Sequence, residues 1–401
     1  MSLFTQIAIA FLALAIAGFI SKFLKSFNPP FYIVAGILLG PAVFSIVNNE
    51  EVFSLLGDIG LIFLLFYLGY EFSLNKLVDK KKVLGLAGLI DFIVNFSIAF
   101  LLGMLLDLSW FYTFVFAGMI YMSSSSIITK SLIQLGAVKK EEGQVVMGIM
   151  IFEDIVMIGF LVIIQSIVNH DGFELLSISK DIGLAVLFAF IVIFLGRKYS
   201  SYIDKLINLK NHELAHIGFI AFIFIGVVIG VLFGVSEALS AFLLGLVVSE
   251  LKHKDRMEEV ILKFRDIFGA VFFFYFGMTF AFESITVPFY ILLIISFVAI
   301  IGKLVSGYLM QMIEKCNKDG GLFIGIVTIP RGEFSLIIAG IVAAAEPQFA
   351  NVAVVVILVT SFMTTIIFYI INKLCKHKEI CVLSKQFLND DHKGEANEAL
   401  S

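Results

Sequence analysis

The sequence predicts an all-α polytopic membrane protein with about thirteen transmembrane helices. Of its 401 residues, 60% are hydrophobic and 15% are charged, and the mean hydropathy is +1.03. Soluble domains carry about 25% charged residues, so this composition excludes that class. Apolar runs of roughly 17 to 25 residues recur along the chain, whereas a membrane β-barrel would show alternating segments of about 10 residues.

The apolar runs place thirteen spans, numbered here in chain order. They cover approximately residues 4–20, 31–47, 52–71, 83–106, 111–129, 143–168, 179–199, 212–233, 235–250, 264–282, 287–312, 321–345 and 349–374. The segment from Met1 to Ile20 has neither a basic start nor a small-residue cleavage site, so we interpret it as the first span and not as a removable signal peptide.

The distribution of positive charge predicts the orientation of the chain. The odd-numbered connections and the C-terminal tail, counted with the span ends beside them, hold 25 of the 28 Lys and Arg residues, and the even-numbered connections counted in the same way hold only Lys180. Cytoplasmic loops retain positive charge, so we expect the N-terminus outside and the C-terminus, with the tail 376–401, in the cytoplasm. The remaining two, Lys303 and Arg331, lie inside spans 11 and 12.

The two halves of the chain resemble each other at nearly one offset. The matches are 66–72 with 274–280 at a shift of 208, 35–40 with 241–245 at about 205 when aligned on the last glycine, and 118–120 with 325–327 at 207. Each match pairs a span with the seventh span after it, which reverses the direction of crossing. Inverted repeats are typical of secondary transporters, whose site lies near the midplane where broken helices meet. The alternative is chance similarity among Phe-, Gly- and Leu-rich segments.

Two spans that correspond in this repeat carry signals for a broken helix. Span 5 contains Ser123, Ser124, Ser125 and Ser126 in its middle, and hydroxyl groups can satisfy backbone groups freed by unwinding. Span 12 contains Pro330, Arg331, Gly332 and Glu333 at the corresponding depth. Proline removes a helical hydrogen bond and glycine weakens the turn, and the freed carbonyls could bind a cation. Close packing of small residues is the alternative for the serines.

Glu153 and Asp154 are adjacent in the middle of 26 residues, 143–168, that contain no other charged residue. A carboxylate at membrane depth is costly, by at least about 2.5 kcal/mol, and usually marks an ion or proton path. The alternative, that the pair only holds helices together, is weaker because such bonds contribute about 0.6 kcal/mol in membranes.

The other deep ionisable residues suggest partners. Lys303 lies in a long apolar run, so we expect it to pair with Glu153. Arg331 and Glu333 should neutralise each other or the helix ends exposed at the break, either as a structural ion pair or with a role in transport. Asp91 has Asn95 one turn later, and we interpret this polar stripe as structural.

These residues permit competition between a cation and a proton at one acid, because either one neutralises a buried carboxylate. We expect Asp154 to be the shared carrier, which binds the transported K+ or Na+ and the proton, with Glu153 tuning it.

Glu237, at the start of span 9, we interpret as a helix cap. No metal-ligand spacing, phosphate-binding loop or nucleophile triad is present in the sequence, so we expect no enzyme activity, no cofactor and no nucleic-acid partner. A gated cation channel and a sodium-coupled solute symporter are the rival functions.

Several stretches together resemble a known family. They are Pro30 to Pro41 (PFYIVAGILLGP), Gly60 to Leu77 (GLIFLLFYLGYEFSLNKL), Ser123 to Ile128, Phe152-Glu153-Asp154, Glu237 to Glu250, Phe264 to Gly277 and Ile329 to Ser335 (IPRGEFS). By these stretches the chain resembles the cation:proton antiporter-2 family, the group of Kef-type potassium/proton and NapA-type sodium/proton antiporters. The family's ion-binding aspartate falls on Asp154, and its core lysine falls on Lys303.

The resemblance implies the antiporter fold with inverted repeats and two crossed broken helices, in a homodimer that works by an elevator mechanism. A transmembrane antiporter domain would cover 1–375, with core helices at 83–168 and 287–374, dimerisation helices at 4–71 and 212–282, and a linker helix at 179–199. It also implies a bacterial cell membrane.

Two departures from the family concern mechanism and regulation. The position before Asp154 is Asp, Asn or Gln in the family and Glu153 here, which leaves the choice between K+ and Na+ open. We expect electroneutral exchange. Kef-type members often carry a nucleotide-binding domain after the last span, whereas here a short tail follows, so regulation would use a separate cytoplasmic subunit or be absent.

Overall fold

The computed structural model describes residues 1–24, 26–71, 81–135, 137, 140–170, 175–198, 212–249, 255–282, 287–314 and 320–375. The predicted tail 376–401 lies outside these residues. The described residues form fifteen helices: α1 (Leu3–Phe23), α2 (Asn28–Leu39), α3 (Glu50–Glu71), α4 (Lys81–Leu105), α5 (Trp110–Tyr121), α6 (Ser125–Gln134), α7 (Glu141–Asn169), α8 (Leu175–Lys198), α9 (His212–Leu232), α10 (Glu237–Ser249), α11 (Asp255–Met278), α12 (Phe289–Glu314), α13 (Gly320–Val327), α14 (Glu333–Val342) and α15 (Gln348–Cys375).

Two of the predicted spans are broken, as expected. Span 5 is divided into α5 and α6 at residues 122–124, and span 12 is divided into α13 and α14 at residues 328–332. When each pair counts as one crossing, the fifteen helices of the described part make the predicted thirteen. Among them, seven are long and apolar enough to cross a membrane alone, and α2, α5, α10 and α14 are shorter apolar helices. The predicted all-helical membrane fold is therefore confirmed.

The helices gather into two compact units. The first comprises Met1–Phe19, Phe31–Asp79 and Val156–Ala281, and the second comprises Ile20–Pro30, Lys80–Ile155 and Phe282–Ser401. Helix α7 contributes to both, with the division after Ile155. The acidic pair Glu153 and Asp154, Lys303 and both helix breaks belong to the second unit.

In the first unit, α2 and α11 approach each other so closely that only glycine fits at the contact. A Cβ atom on Gly36 would overlap the carbonyl oxygen of Phe274, and one on Gly277 would overlap that of Ile33. Both clashes are with backbone atoms, which cannot rotate away. Small residues are the usual means by which helix backbones come together in a membrane.

The same contact occurs a second time in the first unit, between α3 and α10. A Cβ atom on Gly69 would overlap the carbonyl oxygen of Phe242, and one on Gly245 would overlap that of Phe66. The inverted repeat relates the two contacts. Helix α3 corresponds to α11 at a shift of 208 residues, and α2 corresponds to α10 at a shift of 209. The repeat is therefore present in the packing as well as in the sequence.

The register predicted for one repeat match is wrong. The sequence comparison aligned Gly40 with Gly245 because each closes a similar apolar stretch. The contacts instead make Gly36 the counterpart of Gly245, four residues earlier, since both lie against the carbonyl oxygen of a phenylalanine in the partner helix. Packing against a neighbour, which the local sequence does not contain, decides the register.

Gly277→Ala should lower the free energy of unfolding by about 1–3 kcal/mol, because the added methyl group forces two backbones apart. Gly69→Ala, its counterpart in the repeat, should have a similar effect. Gly183→Ala on α8 is the matched control, because its Cβ would meet nothing within 4 Å. There alanine should be neutral or stabilise by about 0.5–1 kcal/mol. Melting temperatures of the purified variants in detergent would test this, and equal values for all three would contradict it.

Candidate functional site

The second unit buries a cluster of charged side chains. Each is at most 7% exposed: Asp91, Glu153, Asp154, Lys303, Arg331 and Glu333. They come from α4, α7, α12, the segment between α13 and α14, and the first residue of α14. A buried charge is retained only where partners compensate it, so the contacts of each group define what the site can do.

Two glycines allow the helices that carry these charges to approach one another. A Cβ atom on Gly88 of α4 would overlap the side chain of Phe152 on α7. On α12, a Cβ atom on Gly302 would lie 2.6 Å from Oδ1 of Asn95. Because Phe152 and Gly302 directly precede Glu153 and Lys303, these close approaches bring α4, α7 and α12 together at the charged residues.

Lys303 lies between two carboxylates. Its Nζ atom is 2.6 Å from Oε1 of Glu153 and 2.6 Å from Oδ2 of Asp91. The ring of Tyr121 also lies beneath this ammonium, with its centroid 5.3 Å from Nζ. The predicted pair of Glu153 and Lys303 is confirmed, and Asp91 is a second partner that the sequence reasoning did not identify.

Asp91 accepts two further hydrogen bonds. Asn95 Nδ2 donates to its Oδ1 over 2.9 Å, and Ser306 Oγ donates to the same oxygen over 2.8 Å. The polar stripe of Asp91 and Asn95 is thus part of the charged cluster. The sequence contained one sign of this contact: span 11 has a polar stripe like that of span 4, with Lys303 and Ser306 one turn apart.

Three consecutive serines at the break between α5 and α6 each donate hydrogen bonds to a different acid. Ser123 donates to Glu153 twice, from its backbone N over 2.7 Å and from Oγ over 2.9 Å. Ser124 Oγ donates to Glu333 over 3.0 Å, and Ser125 Oγ donates to Asp154 over 3.4 Å. The predicted serine run therefore surrounds the acids, although the side chain of Ser126 lies outside the described part of the chain.

The two helix breaks touch at Ser124. Its backbone N donates to the carbonyl oxygen of Pro330 over 2.8 Å. A Cβ atom on Gly332 would lie 2.5 Å from Cβ of Ser124. The backbone of Gly332 is extended, so its small size, and not an unusual dihedral angle, is what this position requires.

Arg331 binds backbone carbonyl groups. Its guanidinium donates to the carbonyl oxygens of Ile120 over 2.6 Å, Ile329 over 2.6 Å, Ala299 over 3.1 Å and Thr328 over 3.3 Å. Ile120 lies in the last turn of α5, and the residues at 328–329 directly follow α13. Of the two arrangements expected for Arg331, the contacts match the one with the exposed helix ends. The cation that these freed carbonyls bind is thus a guanidinium.

Glu333 begins α14, where the partial positive charge of a helix N-terminus favours an acid. The formal charges of the cluster are four negative and two positive, so full ionisation leaves two negative charges in excess. A proton or a cation bound at one of these acids would reduce this excess. No group of three or more His, Cys, Asp or Glu side chains in the described ranges could hold a metal ion. A monovalent cation would instead bind to single carboxylate and hydroxyl oxygens.

Comparison with known proteins places the chain among cation/proton antiporters. Residues 7–373 match the family described as sodium/hydrogen exchanger, transmembrane. The K(+)/H(+) antiporter subunit KhtU of Bacillus subtilis (strain 168) is 32% identical over 393 residues, which cover 93% of this chain and 96% of the relative. The ammonium/H(+) antiporter subunit AmhT of Alkalihalophilus pseudofirmus is 31% identical over 351 residues, 85% of this chain and 87% of the relative.

A solved structure shares the fold. The sodium proton antiporter MjNhaP1 from Methanocaldococcus jannaschii, determined at pH 8, superposes with a TM-score of 0.69 at 19% sequence identity. The match covers 91% of this chain and 96% of that protein. At this identity the likeness concerns the architecture alone.

Arg331→Met should prevent stable folding, because each buried carbonyl left without a donor costs about 1–3 kcal/mol. Arg331→Lys should rescue only part of the loss, since an ammonium has three donors at one point and lacks the planar fork of arginine. Lys263→Arg on α11, an exposed cation that pairs with Glu259, is the matched control for exchanging the two cations. Its melting temperature should stay near that of wild type, and the same result for Arg331→Lys would contradict the role of the fork.

Lys303→Ala should destabilise the protein by about 3–5 kcal/mol, because two buried carboxylates lose their cation. Adding Glu153→Gln to this variant removes one of the two uncompensated charges and should recover part of the loss. Melting temperatures of both variants would measure the difference. If the double variant melts below Lys303→Ala, the ion pair does not govern the stability of this cluster.

Proposed function

This chain belongs to the transmembrane sodium/hydrogen exchanger family and is a monovalent cation/proton antiporter, and we propose that it binds the cation and the proton in turn at Asp154. Asp91, Glu153 and Glu333 are 0%, 1% and 3% exposed, whereas Asp154 is 7% exposed. Asp154 is thus the most accessible acid of the cluster, and this is the observation that carries the assignment.

The hydrogen bonds of the cluster support the same division of roles. Glu153 accepts three hydrogen bonds, all between 2.6 and 2.9 Å, from Lys303 and Ser123. The bond from Ser125 to Asp154 is longer, at 3.4 Å. Charge-assisted hydrogen bonds are short and strong, so the bonds to Glu153 hold its carboxylate in place. Glu153 therefore acts as the companion of Asp154.

Charge balance favours electroneutral exchange. With Asp154 as the carrier, one proton or one monovalent cation reduces the excess of two negative charges to one. The cluster then has the same net charge whichever ion it carries, and so its movement across the membrane in each direction transfers equal charge. One cation is exchanged for one proton.

We propose that alternating access follows an elevator mechanism in a homodimer. The charged cluster lies entirely within one of the two compact units, which could carry it as a body. The helices at 4–71 and 212–282 would form the dimer interface, and the helix at 179–199 would link them to the core. The N-terminus would lie outside and the C-terminus in the cytoplasm.

Potassium is the first candidate cation, followed by sodium. The names of two relatives include K(+)/H(+) and ammonium/H(+), so ammonium becomes a third candidate. Both relatives are also named antiporter subunits, which supports the expectation that a separate subunit assists this chain.

Purified protein in proteoliposomes should dissipate an imposed pH gradient when its transported cation is added. Potassium, sodium, lithium and ammonium would be compared, with a pH-sensitive dye as the readout. Asp154→Asn should abolish the exchange, because an amide binds neither the proton nor the cation as a carboxylate does. The exchange by wild type should persist when an ionophore clamps the membrane voltage.

Asp181→Asn is the matched control, an acid on α8 that pairs with His170 outside the charged cluster. It should exchange ions like wild type. Full activity of Asp154→Asn would refute the carrier assignment. Tracer cation flux without proton movement would indicate a channel, and flux that depends on an organic solute would indicate a symporter.

A further inference from the structure

We propose, building on the proposed function, that Asp91 determines the affinity of the antiporter for its cation. Asp91 lies on α4 and supplies a permanent negative charge to the cluster around Asp154. It would act at a distance through the electric field and not as a ligand of the transported ion.

The contacts of Asp91 fix it as an anion. Its side chain is fully buried and receives hydrogen bonds from Lys303, Asn95 and Ser306, at 2.6, 2.9 and 2.8 Å. All three partners are donors, and an ionised carboxylate is a pure acceptor that matches them. These donors occupy three of the roughly four acceptor directions of a buried carboxylate, so we assign Asp91 no role as a ligand.

Lys303 can neutralise only one of its two partners. Its Nζ atom is 2.6 Å from both Asp91 and Glu153, and with all three groups ionised this triad carries a net charge of −1. The excess charge is therefore placed next to Asp154, which directly follows Glu153 in the chain. If Asp91 were neutral, Lys303 would cancel the charge of Glu153, and Asp154 would lose this additional attraction for a cation.

The other charged and aromatic neighbours of Asp91 are the same in wild type and in the variants below, so they do not alter the comparison. Arg331 interacts electrostatically with Asp91 and Glu153, but its guanidinium is bound to carbonyl oxygens that stay the same in every variant below. Tyr121 presents its ring face to Lys303, which stabilises the ammonium without adding a charge.

The expected effect is large enough to measure. At an effective dielectric constant of about 20, one unit charge at a separation on the order of 10 Å changes the affinity for a cation by about tenfold. Asp91→Asn should therefore raise the KM for potassium, or for sodium if wild type exchanges only sodium, by about tenfold. Vmax should stay within about twofold of wild type, because the carrier and the moving unit are unchanged.

Ser306→Ala is the matched control for loss of a contact. It removes the 2.8 Å hydrogen bond to Asp91 but leaves the charge in place. Its KM should stay within about twofold of the wild-type value, because polar contacts alone do not alter the field at Asp154 in the way a unit charge does. A raised KM in Ser306→Ala equal to that of Asp91→Asn would show that Asp91 acts by packing, which overturns the proposal.

The double variant Asp91→Asn with Asn95→Asp moves the carboxylate by one turn of α4 and keeps the hydrogen-bonded pair. It should restore KM to within about threefold of wild type, since the charge of the cluster is restored. This variant tests the proposal even if Asp91→Asn alone does not fold, because a tenfold higher KM in the swap contradicts the charge mechanism. An unchanged KM in Asp91→Asn also overturns it.

Failure of this proposal can be distinguished from failure of the proposed function. If wild type exchanges cations for protons and Asp91→Asn has the same KM, only the role of Asp91 is refuted. If wild type exchanges none of the tested cations, the antiport mechanism at Asp154 is refuted. Cation-dependent shifts of the melting temperature in detergent would then give the affinities of wild type and Asp91→Asn directly, and equal values would refute the role of Asp91 as well.

Discussion

The charged cluster depends on one constraint, which is that no ionised group at membrane depth can rely on water. Each buried charge must be compensated by a partner built into the chain. Lys303 is held between two carboxylates, and Ser123 supplies a backbone and a hydroxyl donor to one of them. The helix breaks follow from the same constraint. An intact helix uses its backbone N–H groups internally, so only an interrupted helix can offer one to an acid.

The two buried cations have different chemical roles. Lys303 pairs with carboxylates, where a compact point charge can be shared at equal distance by two acids. Arg331 instead reaches four carbonyl oxygens in different directions, which suits a planar group with five donors. Because Arg331 binds the carbonyl ends of the broken helices, the proposed site offers carboxylate and hydroxyl oxygens to the transported ion. Arg331 thus stabilises the helix breaks, whereas Lys303 compensates the carboxylates next to the proposed exchange site.

The sequence was sufficient to predict the features that depend on local pattern. Thirteen crossings, the two broken spans and the pairing of Lys303 with Glu153 all follow from apolar run length, from breakers such as Pro330 and from the cost of an unpaired buried charge. The second partner of Lys303 could not be predicted in this way. It depends on how closely α4 approaches α7 and α12, which is set by Gly88 and Gly302 against their neighbours. For the same reason the repeat was aligned on Gly40 and not on Gly36, since register is a property of the packed pair of helices.

The two halves of the inverted repeat share the helix packing of the first unit, but their helix breaks in the second unit differ in composition. In the first unit, the glycine contact between α2 and α11 is repeated between α3 and α10 at a nearly constant shift. In the second unit, the two breaks occupy corresponding positions but differ in composition. One supplies serine donors to acids, and the other supplies Arg331 to carbonyl oxygens. A symmetric pair of serine breaks would leave the carbonyl ends of both broken helices without a cation. A symmetric pair of arginine breaks would bring a second guanidinium into the cluster and offset the negative excess that attracts a cation. The proposed binding of one positive ion at a time thus explains why the two breaks differ although their positions correspond.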